Sequence, residues 1–202
     1  MKICRDFYLE KLIKRKNNGL IKVITGIRRC GKSYLLNNLF YHHLLESGVK
    51  EDHIIRFAFD SAEDLYLIGE SLVQLEKEKR GVDPEKFMAY IRSKINDDQM
   101  YYLLLDEIQM MDCFEAVLNG YMRKDNMDVF VTGSNAKLLS KDIATEFAGR
   151  GDEVHMYPLS FAEFMTVYQG DKYMGLSEYM LYGGIPMVVL REEAEEKAAT
   201  LQ

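Results

Sequence analysis

The sequence predicts an α/β protein built on a parallel five-stranded sheet with helices on both faces, followed by a small helical extension. Three observations predict it. Short apolar runs recur along the chain, charged segments of helical period separate them, and two of the runs stop on residues that carry chemistry. Strands of an open α/β sheet behave in this way, since they are buried on both faces and bring ligand-binding residues to their carboxyl ends.

Taken in order, Phe7 to Ile13 has helical spacing and ends near the turn Asn17-Asn18-Gly19. Leu20 to Thr25 is a β-branched, mostly apolar run that stops at Gly26, a first strand entering a tight loop. Ser33 to Leu45 returns to a helical period and stops at Ser47-Gly48. Ile54 to Phe59 is the second strand, and the charged stretch 61–98 is expected to be helical with breaks at Gly81 and Pro84. Tyr101 to Leu105 is the third strand, Phe114 to Arg123 a helix, Val129 to Thr132 the fourth strand and Val154 to Tyr157 the fifth. Beyond Pro158 the pattern is helical, broken at Gly183-Gly184-Ile185-Pro186 and running out in a polar helix without a closing signal. We expect an α/β core over 1–158 and a helical extension or lid over 159–202, cut before a further domain.

Composition narrows the function classes. The 202 residues, 48% hydrophobic and 29% charged, are enough for one α/β domain and exclude a disordered or fibrous chain. A net charge of -6 gives no overall footprint for wrapping nucleic acid. No apolar run approaches the ~20 residues that span a bilayer, and the first residues lack a signal-peptide core, so a cytoplasmic protein is expected. Cys4, Cys30 and Cys113 are too scattered for a disulfide framework or a zinc site, and the histidines lack ligand spacing, with His53 and His155 standing alone among apolar neighbours.

The chemistry begins at Gly26-Ile27-Arg28-Arg29-Cys30-Gly31-Lys32-Ser33, which matches G-x-x-x-x-G-K-[ST], the P-loop or Walker A pattern. Such a match arises by chance on the order of once in a hundred chains of this length, and the strand before it and the helix after it make chance less likely still. The glycines let backbone N–H groups turn inward around phosphates at a helix start, so the run from Gly26 to Tyr34 is read as the nucleotide-binding element. Lys32 is expected on the β- and γ-phosphates and Ser33 on Mg²⁺. Arg28 and Arg29 are expected to point outward, and Cys30 is read as a tolerated loop residue.

Asp106 and Glu107, at the end of the third strand, form a Walker B arrangement: Asp106 would hold Mg²⁺ and Glu107 would polarise the attacking water. Acids after a strand also cap helices, a reading that weakens beside a P-loop. Ser134 and Asn135, after a fourth strand expected beside the P-loop strand, are candidates to contact the γ-phosphate or the water, or simply a helix cap. Arg150 between glycines is either a transition-state arginine, in cis or in trans, or a surface charge. The aromatic corner from Tyr157 to Phe164 is assigned to packing.

The stretches VITGIRRCGKSYLL, YYLLLDEIQ, VFVTGSNAKLLS, GRGDEVHMYPLSFAEF and YGGIP, in this order, resemble the AAA-type ATPases of the bacterial and archaeal AAA_14 family over nearly the whole chain. The resemblance implies ATP and Mg²⁺ as ligands and a sheet with the P-loop strand between the Walker B and sensor neighbourhoods. It also implies a helical lid from about Leu159 and continuation into a C-terminal domain of the DUF4143 type. It leaves room for a homo-oligomer and an unknown protein partner; nucleic acid enters by analogy alone, and no membrane is implied. An ATP hydrolase acting as motor or switch fits the paired acids best. A nucleotide-dependent interaction module with little turnover is the alternative, and a small-molecule kinase is disfavoured by Glu107 and by the lack of an arginine-rich lid.

Overall fold

The computed structural model describes residues 3–133, 150–191 and 193–201. Helix α1 (Asp6–Arg15) leads into strand β1 (Ile21–Gly26). The rod after the loop has three parts: α2 (Lys32–Tyr34), a π-helical stretch (Leu35–Phe40) and α3 (Tyr41–Glu46). Strand β2 (Ile54–Ala58) is followed by α4 (Ala62–Leu67), α5 (Leu72–Glu78) and α6 (Pro84–Lys94). Ser61 and Asp83 cap α4 and α6 by accepting backbone N–H groups, and Pro84 opens α6 with a preset φ. Strand β3 (Tyr101–Asp106), helix α7 (Phe114–Met122), strand β4 (Met127–Thr132) and strand β5 (Gly151–Met156) complete the sheet. Helices α8 (Phe161–Met165), α9 (Lys172–Tyr182), α10 (Pro186–Val189) and α11 (Ala194–Leu201) follow, α8 opened by a Ser160/Glu163 capping box.

All strand pairs are parallel, in the order β2-β3-β4-β1-β5. This corrects the expected neighbourhood of the P-loop strand. β1 lies between β4 and β5, and the Walker B strand β3 is one strand further away, because β4 pairs with β1 through Lys22↔Phe130 and with β3 through Leu104↔Phe130.

Strand alternation sends side chains to two separate cores. Ile21, Val23, Phe57, Leu103, Leu105 and Val131 pack with Leu65, Phe87, Ile91 and Leu118 on one face. Ile24, Leu104, Phe130 and Val154 pack with Leu12, Leu36, Phe40 and Leu44 on the other. Each fully buried side chain of this size contributes about 1.5–3 kcal/mol. The strands exceed their apolar runs where a polar residue finds a partner. Asp128 in β4 is paired with the fully buried Lys22 of β1, and Asp152 in β5 takes Arg15 of α1 at 2.6 Å. His53 is not alone among apolar neighbours: it stacks on Tyr101 at 4.6 Å and lies between Asp52 and Asp97. Among the described residues, no helix is long and apolar enough to cross a membrane.

Candidate functional site

The loop after β1 is shaped by two left-handed glycines. Gly26 has φ +140°, and a Cβ there would overlap the Met156 carbonyl oxygen of β5; Gly31 has φ +99° and starts the rod. Between them Arg29 also adopts a positive φ, 66°. Lys32, 5% exposed, donates from Nζ to the carbonyls of Gly26 (3.0 Å) and Ile27 (3.1 Å). Arg28 is exposed; Arg29 is exposed too, and its Nη1 reaches the Thr200 carbonyl of α11 at 3.3 Å. Cys30 is fully buried, and burial pushes its thiol up against the pull of Lys32 and Arg5, so it stays a protonated packing residue.

Asp106 closes β3 and is 4% exposed. Thr132, at the end of β4, donates its hydroxyl to Asp106 Oδ1 and accepts the Glu107 amide at 3.2 Å. Asn37, in the π-helical stretch, donates to Asp106 Oδ2 at 3.1 Å. Burial raises the Asp106 carboxyl above its ordinary range; the hydrogen bonds from Thr132 and Ser33 oppose this, and the negative charges of Glu107 and Asp60 add to it. Glu107 follows in a left-handed conformation, φ 52°, and receives a hydrogen bond on Oε2 from Gln109 Nε2.

A cavity of about 540 Å³ opens over these groups. Its floor is Arg29 to Tyr34 with Glu107, and its walls are Ile3 and Arg5 from the N-terminal segment, Leu159, and Pro186, Met187, Leu190 and Arg191 around α10. Arg5 is 2% exposed, sits over the Tyr8 ring at 4.6 Å and donates from Nη2 to the Tyr157 carbonyl. Its Nε lies 3.3 Å from Glu163 Oε1, and its Nη1 has no hydrogen-bond partner among the described residues.

The structure thus brings together Gly26, Gly31, Lys32, Ser33, Asp106 and Glu107. Arg150 is not in this group: its carbonyl accepts the amide of Ile21 at the opposite end of β1, roughly 17 Å along the strand from the loop. Its guanidinium faces Asn119 of α7 at 3.4 Å. Ser134 and Asn135 lie outside the described residues. Asn37, Thr132, Gln109 and Arg5 carry contacts that sequence reasoning missed; Thr132 stood in the right stretch, whereas nothing local marks Arg5 or Asn37.

The profile of the AAA_14 family, an AAA domain, matches residues 18–165. The chain belongs to that family. This AAA_14 domain is 36% identical over 197 residues to an uncharacterized protein of Haemophilus influenzae, covering 95% of this chain and 46% of that one. It is 31% identical over 212 residues to an uncharacterized protein of Methanocaldococcus jannaschii, covering 99% and 42%. The chain therefore spans less than half the length of these curated relatives. Among solved structures it is similar to a Walker-type ATPase of Pyrococcus abyssi, with TM-score 0.57, 20% identity and 93% and 65% of the two chains covered. It is also similar to AMPPCP-bound DnaA of Aquifex aeolicus, with TM-score 0.56, 15% identity and 96% and 59% covered. These likenesses establish the P-loop fold, and with the family they make the AAA_14 chain a nucleotide-binding, ATPase-like domain.

Proposed function

We propose that the chain binds ATP and, with Mg²⁺, hydrolyses it to ADP and phosphate, as the motor or switch of a longer protein. The observation that carries this reading is the convergence of the P-loop with Asp106, Thr132 and Glu107 at the carboxyl edge of one sheet. The triphosphate would lie along the loop amides at the helix start, with Lys32 turning from the Gly26 and Ile27 carbonyls to the phosphate oxygens. Ser33 and Asp106 are already coupled by a hydrogen bond and are hard oxygen donors, the set that suits Mg²⁺. The remaining ligands of such a cation would be water and phosphate oxygens. When bound, Mg²⁺ would neutralise charge on the β- and γ-phosphates.

In the reaction, Glu107 takes a proton from water as the water oxygen bonds the γ-phosphorus and the β–γ bridging bond breaks, with ADP leaving. Thr132 holds the two acids in register by bonding the Asp106 carboxylate and the Glu107 amide. Ser134 or Asn135 would contact the γ-phosphate or the attacking water, and Arg150, at the opposite end of β1, would serve a neighbouring subunit of a homo-oligomer. The apolar walls Ile3, Leu159, Pro186, Met187 and Leu190 suit a nucleobase, with 159–202 acting as the lid on the 1–158 core.

A second reading, a nucleotide-dependent interaction module with little turnover, is favoured by the apolar surface of α9, where Tyr173 (82%), Met180 (78%) and Leu181 (69%) are exposed. ATP binding and turnover with Mg²⁺, measured beside Lys32→Ala and Glu107→Gln, separate the two. Hydrolysis predicts turnover that Glu107→Gln abolishes while binding persists. Tight binding without turnover, in this chain and in the full-length protein, would leave the module.

A further inference from the structure

We propose that Gln109 is a positioning residue for Glu107, a role that rests on reading Glu107 as the base of ATP hydrolysis. Glu107 adopts φ 52° and ψ 46°, a conformation that costs a residue with a Cβ and persists only where surrounding bonds enforce it. The turn that follows, Ile108–Met110, is closed by the Met110 amide on the Glu107 carbonyl at 3.0 Å. That closure folds the Gln109 side chain back, and its Nε2 donates to Glu107 Oε2.

The other end of the same amide defines what the contact is for. Gln109 Oε1 is buried and has no hydrogen-bond partner among the described residues. A buried amide oxygen left unsatisfied is costly, so the side chain is held in place by its donor end. That donor end is directed at a carboxylate, where hydrogen bonds are strongest. Gln109 also approaches from the side away from the nucleotide. Glu107 lines the cavity over the P-loop, whereas Gln109 lines a separate groove with Leu75, Arg80 and Met110. It can therefore hold the carboxylate without occupying the space of water or phosphate.

The bond fixes the carboxylate in one rotamer, which a base needs at the moment a water is presented. The charges around it act together with Gln109. Asp106 repels Glu107; Lys32, Arg5, Arg29 and Arg191 share its cavity; and Lys79, Arg80, Glu76 and Asp112 line the groove behind.

The test compares Gln109→Met, which keeps the volume and removes the donor, with Gln109→Glu, which keeps the shape and adds a charge. Gln109→Met is expected to lower kcat about ten- to a hundredfold while KM and the Kd for ATP stay within about twofold, a split that a general loss of structure would not produce. Gln109→Glu is expected to lower kcat at least as far, since a second carboxylate facing Glu107 repels it from the position the amide held. Wild-type kcat in both variants while Glu107→Gln is inactive overturns the proposal. Wild-type turnover by Glu107→Gln instead overturns the reading of Glu107 as the base, and with it the catalytic use of Gln109.

Discussion

Asn37 donates its side-chain amide to Asp106 Oδ2 at 3.1 Å, tying the rod behind the P-loop to the end of a strand two places away in the sheet. With Thr132 on Oδ1, both oxygens of Asp106 are engaged while the carboxyl itself is pushed upward by burial.

Asp106 should therefore weaken the fold when it ionises. Its native form keeps a proton over a range where the unfolded chain, titrating near 3.8, has lost it, so stability falls as pH rises from that value through the raised one. Asp106→Asn has no charge to bury, and Asn37 can turn its amide to match. We expect its Tm without metal to lack this fall across the range, relative to wild type, and to equal or exceed wild type at neutral pH. The additional rise in Tm that Mg²⁺ gives in the presence of ATP should vanish in the variant. Thermal melts across pH, with and without Mg²⁺ and ATP, check both parts.

Lys22 and Asp128 form a buried pair between β1 and β4, supported by the Leu20 carbonyl on Lys22 and the Asn17 amide on Asp128. Lys22→Met leaves the carboxylate buried without its cation and should cost about 3–5 kcal/mol. Adding Asp128→Asn should recover a large part of that loss. Urea unfolding of the two single variants and the double variant reads the coupling.

His53 gives the opposite pH signature. The hydrogen bond that His53 donates to Asp52 raises it above its ordinary 6.5, burial opposes, and Asp97 adds to the rise. Its contribution is complete below 6.5 and is lost as pH climbs through the raised value. His53→Gln should flatten wild-type stability over that interval and lower it at pH 6, as denaturation midpoints measured from pH 5.5 to 8.5 would reveal.

The two loop glycines should differ in their tolerance of a methyl group. Gly26→Ala drives Cβ into the Met156 carbonyl at φ +140°, and we expect a loss of about 3 kcal/mol or more together with nucleotide binding. At Gly31 the added Cβ meets nothing nearer than the Met156 Cε at 3.5 Å, so Gly31→Ala should cost only the left-handed backbone, about 1–2 kcal/mol. Chemical denaturation and a nucleotide titration rank the two.

The features legible in the sequence are those whose causes are local. Gly26 to Ser33 and Asp106-Glu107 are contiguous patterns, and β3 is an unbroken apolar run, so the P-loop, the acids and the parallel sheet could be read directly. The extent of β4 and β5 could not be. Asp128 and Asp152 look like loop residues until Lys22 and Arg15 arrive from distant elements to pair with them. Arg5 and Asn37 reach the site from an N-terminal segment and a helix flank, where neighbouring residues give no hint of their partners. Thr132 was within the right stretch, but only the pairing of β4 with both β1 and β3 determines which of its residues meets Asp106.

That pairing makes β4 a gauge. The loop and the paired acids are held two inter-strand steps apart, about 9.5 Å, by ladder hydrogen bonds that break before they stretch. The two motifs therefore cannot drift toward or away from each other as a reaction proceeds. Among the described residues, any motion that couples this chain to work elsewhere falls to what borders the sheet, such as the segment around Arg5 and the helices from α8 onward, while the sheet itself stays the fixed reference against which they move.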